Sequence, residues 1–367
     1  MQIGILVPFM NNFGEKGFYN SQEVGLGKAL VKNGNDVVIY KLIKVGTEKP
    51  KDYEIGNLKV LYLEAKSIGA NGIVDTQWLN PKMNALICFS DMQLVIPKIY
   101  GWCKKNNIKF IPYIGVTESH STNCVIRFVM NFLFTRNINV YRKCTCIVKN
   151  SIVIDSLMKR KVKDVKLAPV GIDTDLLHTD YDGIAKQELK EKYGYKTDEH
   201  VLLFIGRLEQ EKEPIKLISI FSELKREDEK LKLLIVGKGS LQEKMEKEIA
   251  IHSLQNDVQH IQQIPNEHIW ELYRLCDWFV NLNHQEIFGM VLLEAMYYET
   301  VVVAWHAPGP DFIINDKESG YLVSNMEELK ISLRHTDINI REKAHERVMS
   351  SFTWDSTALV VQGIIDN

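Results

Sequence analysis

Twice along this chain of 367 residues a short apolar run ends at a glycine-bearing loop, passes into a helical repeat and is followed by another apolar run. The first series opens at residues 3–7, continues through a helical stretch at 21–33 and returns to an apolar run at 36–42. The second opens at 201–205, with a helix over 214–225 and the next strand at 231–236. Strands that read as continuous apolar runs are buried on both faces, and intervening helices are what cover them. The pattern therefore predicts an α/β chain with parallel sheets. It occurs on either side of a polar, charged stretch at 181–199, and the length exceeds what one core holds. Two Rossmann-like domains follow: residues 1–178, joined by a C-terminal helix at 353–367, and residues 179–352.

Individual loops narrow the ligand class. The loop after the first strand carries Gly14 and Gly17 but no GxGxxG, so a dinucleotide is not indicated. Gly17 allows a ligand close to the backbone, and a plain turn glycine explains it equally well. The strand at 109–114 ends in a polar loop that includes His120, at a carboxyl edge, where open α/β sheets place their ligands. In the second series Gly206, Arg207 and Lys212 occupy the corresponding loop, and Gly237 and Gly239 close the following strand. Asp173 and Asp175 match a DxD metal pattern, but their place after a strand and a glycine turn reads as a connection.

Residues 286–294 (EIFGMVLLE) are the most informative stretch. They follow an apolar strand at 278–282 and open an apolar helical run at 288–298 whose only charge is Glu294. Gly289 sits where that helix should begin, and unpaired backbone N–H groups there suit an anion. Glu286 lies just before that point and Glu294 about a turn and a half inside. A sugar, a phosphate and a ribose laid across one helix end fit this layout; so does a core helix with a capping carboxylate. His284 beside Glu286 lacks the further ligands a metal would need.

The formal net charge of -2 argues against a nucleic-acid partner. Six cysteines are scattered without metal or redox spacing, which points to reduced thiols and a cytoplasmic setting. The first residues read directly as a strand rather than a signal segment, and no apolar run is long enough to span a bilayer. Residues 125–148 mix Ile126, Phe128, Val129, Phe132, Leu133 and Phe134 with Arg127, Arg136, Arg142 and Lys143. With Lys159, Lys161, Lys163 and Lys166 they make either a basic surface for the inner face of an anionic membrane, or a core helix with a solvated side.

The combination of Gly206, Arg207 and Lys212 with Gly237 and Gly239, of Glu286 with Phe288, Gly289 and Glu294, and of residues 320–323 (GYLV) resembles the retaining glycosyltransferases of family 4. That group, also called group 1 or glycogen-synthase-like, has the GT-B fold of two Rossmann-like domains across a cleft. The resemblance implies roles. Arg207 and Lys212 would bind the donor diphosphate, with Gly17, Gly206 and Gly237 giving it room. Phe288, Gly289 and Met290 would offer backbone N–H groups. Glu286 would contact the transferred sugar, Glu294 the ribose hydroxyls, and His120 the reacting centre. The donor would be a UDP- or GDP-type nucleotide diphosphate sugar, the acceptor a saccharide or a lipid-linked group, and no cofactor or metal would be required. The pathway implied is cell-surface polysaccharide or glycolipid synthesis. Several positions depart from the family: Tyr297, Tyr298 and Glu299 replace small residues and glycine, and Val301, Val170 and the 307–311 loop also differ. A nucleotide-sugar epimerase of the same fold and an inactive sugar-nucleotide-binding subunit remain alternatives.

Overall fold

The computed structural model describes residues 1–10, 21–119, 121, 123–175, 177, 184–334 and 338–367. They fall into two units, residues 1–173 with 351–367, and residues 174–350.

In the first unit, strand Gln2–Val7 pairs in parallel with Asp36–Lys44 on one side and Ala85–Phe89 on the other. Beyond Asp36–Lys44 comes the parallel strand Leu58–Ile68, with the short antiparallel strands Tyr53–Ile55 and Asn71–Ile73 beside it. Beyond Ala85–Phe89 come Lys109–Ile114, Cys146–Val148 and Val165–Leu167, all parallel. Order along the sheet reverses between Gln2–Val7 and Ala85–Phe89. Every residue of Ala85–Phe89 is buried, as a strand covered on both faces requires.

The C-terminal helix Trp354–Asp366 packs on helix Gln22–Lys32 of this unit. Two glycines make the room. A Cβ on Gly25 would lie 2.1 Å from Trp354 Nε1, and one on Gly171 would lie 2.2 Å from the Trp354 backbone nitrogen. Asn35 Nδ2 donates to Gln362 Oε1 at 2.8 Å, and Lys109 Nζ to the Ile364 carbonyl at 2.6 Å. Trp354 is 4% exposed. Replacing it by alanine should lower unfolding stability by about 3–5 kcal/mol, read from urea denaturation. Asp173 of the DxD pattern is buried and pairs with Lys28 at 2.9 Å, so it ties this unit together.

The second unit has six parallel strands in the order Val258–Ile261, Leu231–Val236, His200–Ile205, Trp278–Asn281, Val301–Trp305, Tyr321–Val323. The chain starts in the middle, winds outward through Leu231–Val236, then returns to the other side of His200–Ile205. The order therefore reverses between His200–Ile205 and Trp278–Asn281. Loops leaving the carboxyl ends of two such strands diverge and leave a crevice, where this class of sheet binds ligands.

The helix expected over 288–298 spans Met290–Tyr297. It starts later because Gly289 is left-handed, at φ +94°, and cannot be a helical residue. Strand Val258–Ile261 stops short of Pro265.

Candidate active site

The loops after His200–Ile205 and Leu231–Val236 run backbone against backbone. Gly237 has φ +145°, and a Cβ there would sit 1.9 Å from the Gly206 carbonyl oxygen. A Cβ on Gly239 would lie 2.4 Å from the Leu208 carbonyl oxygen. Glycine at both positions lets Leu208 N–H donate to Lys238 O and Leu241 N–H to Leu208 O, at 3.1 and 2.9 Å. Glu209 accepts from the Ser240 hydroxyl at 2.6 Å and its N–H at 3.0 Å, which hold its carboxyl below the usual range. The loop is thus pinned on both sides of Arg207. Arg207 itself is largely exposed and pairs with Glu211 at 2.7 Å.

On the other side of the reversal, the loop after Trp278–Asn281 turns on Asn283, whose Oδ1 accepts from Gln285 N–H at 2.9 Å. Its Nδ2 donates to Glu286 Oε2 at 3.3 Å. The same oxygen receives Lys212 Nζ at 2.5 Å. Lys212 comes from the loop after His200–Ile205 and Glu286 from the loop after Trp278–Asn281. One ion pair thus joins the two loops that flank the point where strand order reverses. Both side chains are mostly buried, at 22% and 14% exposure.

The stretch 286–289 is held from behind by a third loop. Gly309 N–H donates to the Glu286 carbonyl at 2.7 Å, and a Cβ on Gly309 would lie 2.2 Å from Phe288 O. Gly289 then caps helix Met290–Tyr297 with no side-chain hydrogen bond. First-turn N–H groups have no partner inside a helix, so this end presents donors to an anion. Glu294 is 8% exposed and its Oε2 accepts from the Tyr273 hydroxyl at 2.8 Å. The Tyr273 ring stacks on Tyr298 with centroids 5.8 Å apart. Tyr298 is one of the residues that depart from the family pattern. Its neighbour Glu299 takes a left-handed φ of +60° and pairs with Arg274 at 2.9 Å.

Gly206, Lys212, Gly237, Glu286, Phe288, Gly289, Met290 and Glu294 therefore lie on loops, or in the first turns of a helix, at the carboxyl edge of one sheet. Lys212 and Glu286 touch directly, whereas Arg207 turns to Glu211. Gly17 and His120 lie outside the described residues. Three contributors went unread in the sequence. Asn283 had a signal, an Asx-turn residue three places before Glu286. Gly309, in the departing 307–311 loop, revealed no contact, and Tyr273 lies on another helix. His284 stacks on Trp305 at 5.3 Å. Among the described residues, no three His, Cys, Asp or Glu side chains are grouped to hold a metal.

Residues 185–338 match the family described as "Glycosyl transferases group 1". The chain is 28% identical over 180 residues to the alpha-monoglucosyldiacylglycerol synthase of Streptococcus pneumoniae, covering 48% of this chain and 40% of that protein. It thus spans about two fifths of that relative's length. Among solved structures it is similar to a sucrose-phosphate synthase from Thermosynechococcus elongatus, with TM-score 0.74 at 18% identity over 100% of this chain and 98% of that one. Anabaena Alr3699/HepE, in complex with UDP and glucose, gives TM-score 0.69 at 15% identity, over 100% and 99% of the two chains. The structural likenesses establish the GT-B fold.

Proposed function

We propose that this chain of GT-B fold, whose residues 185–338 match the group 1 glycosyltransferases, transfers a sugar, with retention of configuration, from a UDP- or GDP-type nucleotide diphosphate sugar. The acceptor is a saccharide or a lipid-linked group, and the product belongs to cell-surface polysaccharide or glycolipid. The Lys212–Glu286 pair carries this reading, because it sets a cation and a carboxylate side by side where the strand order reverses, next to a helix N-terminus. The monoglucosyldiacylglycerol synthase relative supports the acceptor class, and the UDP and glucose bound by the Anabaena protein support the donor class.

The chemistry follows from these groups. The donor diphosphate lies against the first turn of helix Met290–Tyr297, where Phe288, Gly289 and Met290 offer N–H groups. Lys212 moves its charge from Glu286 to the diphosphate, and Arg207 leaves Glu211 to join it. Both cations gain as negative charge grows on the departing phosphate, so their effect is larger in the transition state than in the ground state. Glu286, released from Lys212, accepts from sugar hydroxyls and favours the positive charge that develops at the anomeric carbon. The acceptor hydroxyl attacks on the side from which the diphosphate leaves, and its proton passes to that leaving group. His120 and Gly17, outside the described residues, keep the roles that the resemblance implies, and Lys212 and Arg207 supply the positive charge that a metal would otherwise bring.

Glu294 holds the ribose hydroxyls, and Tyr273 keeps its carboxylate in place. Tyr273→Phe should therefore raise the Kd for the nucleotide diphosphate about tenfold, the loss of one hydrogen bond to a charged group. Isothermal titration reads it; an unchanged Kd separates Tyr273 from donor binding. The reading as a whole is tested by thermal shift with UDP, GDP and their sugars, since a ligand that binds the folded chain raises its melting temperature. Proton NMR of the product then reads the anomeric configuration. Donor-sugar conversion without acceptor would make the chain an epimerase, and donor binding without turnover across lipid and saccharide acceptors would make it a binding subunit.

A further inference from the structure

Helix Cys124–Tyr141 of the first unit is built in two halves. From Asn131 onward it is tied down. Asn131 Oδ1 accepts from Ser119 N–H at 2.8 Å, and Arg136 Nη2 donates to Leu94 O at 2.6 Å. Asn137 Nδ2 donates to Gln93 O at 2.9 Å, and the Tyr141 hydroxyl to Ser90 O at 3.0 Å. All four partners lie in loops at the carboxyl edge of the sheet, so the first two turns extend past that edge. There the helix is capped by Asn123, whose Oδ1 accepts from Val125 and Ile126 N–H.

The extending turns are apolar and exposed. Val125 is 66% exposed, Ile126 52%, Phe128 73%, Val129 47% and Phe132 62%. A contiguous exposed apolar patch marks an interaction site, and scattered single residues would not. Helix periodicity stacks Val125, Phe128, Val129 and Phe132 on one side. Ile152, 49% exposed, starts the next helix, Ser151–Lys159, from the same edge. Charge selects the partner: residues 119–132 hold no Asp or Glu and contain the exposed Arg127, and the neighbouring Glu118 is paired with Arg160. An exposed apolar row whose helix turns carry one charge, the Arg127 guanidinium on the opposite flank, fits an anionic bilayer surface, where the rings enter the acyl boundary and the guanidinium meets phosphate. No described helix is long and apolar enough to cross a membrane, so the contact is with one surface.

We infer that the N-terminal half of helix Cys124–Tyr141 is a membrane-docking tip that inserts Phe128 and Phe132 into the interface of an anionic bilayer. This deepens the glycolipid side of the proposed function, because it brings the first unit to where a lipid-linked acceptor resides. The test does not depend on turnover. The full chain is co-sedimented with phosphatidylcholine vesicles with and without phosphatidylglycerol. Binding is expected only with phosphatidylglycerol, falling about tenfold for each of Phe128→Ser and Phe132→Ser, and severalfold for Arg127→Glu. Because these side chains are exposed, the variants should keep the wild-type melting temperature and nucleotide-diphosphate binding. Equal sedimentation of wild type and variants would overturn the inference, as would no sedimentation with either vesicle. So would concentration-dependent dimers in size-exclusion chromatography that the phenylalanine variants abolish, because a second copy would then cover the tip. Loss of donor binding in the wild type would instead count against the proposed function and leave the vesicle result standing.

Discussion

Replacing Glu286 by glutamine is expected to lower kcat for sugar transfer by about a hundredfold or more, the scale set by loss of one preorganised charge contact. Glu286 Oε2 is where Lys212 and Asn283 converge, at 2.5 and 3.3 Å. Glutamine keeps the shape and a carbonyl acceptor but removes the charge. The fold should survive, because the Glu286 backbone is held separately by Gly309 N–H at 2.7 Å. Lys212→Ala should have a comparable effect, with more of it in donor affinity, because the proposed role sets the lysine against the diphosphate in both ground and transition states. The double variant is the sharper measurement. Two groups that work as one unit give effects well short of additive, whereas two independent contacts would multiply. Steady-state kinetics on the four proteins, with melting temperatures alongside, reads all of this. Near-normal turnover in Glu286→Gln would remove the pair from the reaction.

The alternation of strand, loop and helix is legible because parallel strands bury both faces and so appear as unbroken apolar runs, as at Ala85–Phe89 and Val301–Trp305. The switch between strands was not readable in one dimension. Only the pairing of His200–Ile205 with both Leu231–Val236 and Trp278–Asn281 reveals that the Lys212 and Glu286 loops border one crevice. Helix ends were less legible than helix existence, since Gly289 could be the first helical residue or a left-handed cap, and the backbone takes the second. The 125–148 stretch offered two readings, and each describes one half of helix Cys124–Tyr141. Leu133, Phe134 and Ile138 join the core while Phe128 and Phe132 stay outside. Periodicity averages over a helix and does not register where the body of the protein stops. Tyr273 was invisible for a related reason. It reads as one more apolar-face aromatic in helix Ile269–Leu275, and only the tertiary fold sets its hydroxyl on Glu294.

Gly237→Ala should be the most damaging single-atom-scale change in the second unit, costing about 3 kcal/mol or more of stability. Two penalties coincide. Its φ of +145° is closed to a residue with a side chain, and the added Cβ would sit 1.9 Å from the Gly206 carbonyl oxygen. Neither strand-end loop can yield easily, because Gly206 N–H donates to Val236 O at 3.0 Å and Gly237 N–H to Ile261 O at 2.9 Å. Relief must come from displacing the 206–212 loop, which carries Arg207 and Lys212. A shift of about 1 Å there would reduce turnover on the order of a hundredfold even in molecules that remain folded. Gly194→Ala is the matched control in the same unit. Gly194 is also left-handed, at φ +85°, but a Cβ there would meet nothing within 4 Å. That variant should lose about 1 kcal/mol and keep its activity. If both substitutions cost the same in thermal denaturation and kcat, backbone strain alone would be at work, and the packing of the Gly237 turn against Gly206 would have no part in shaping the candidate donor site.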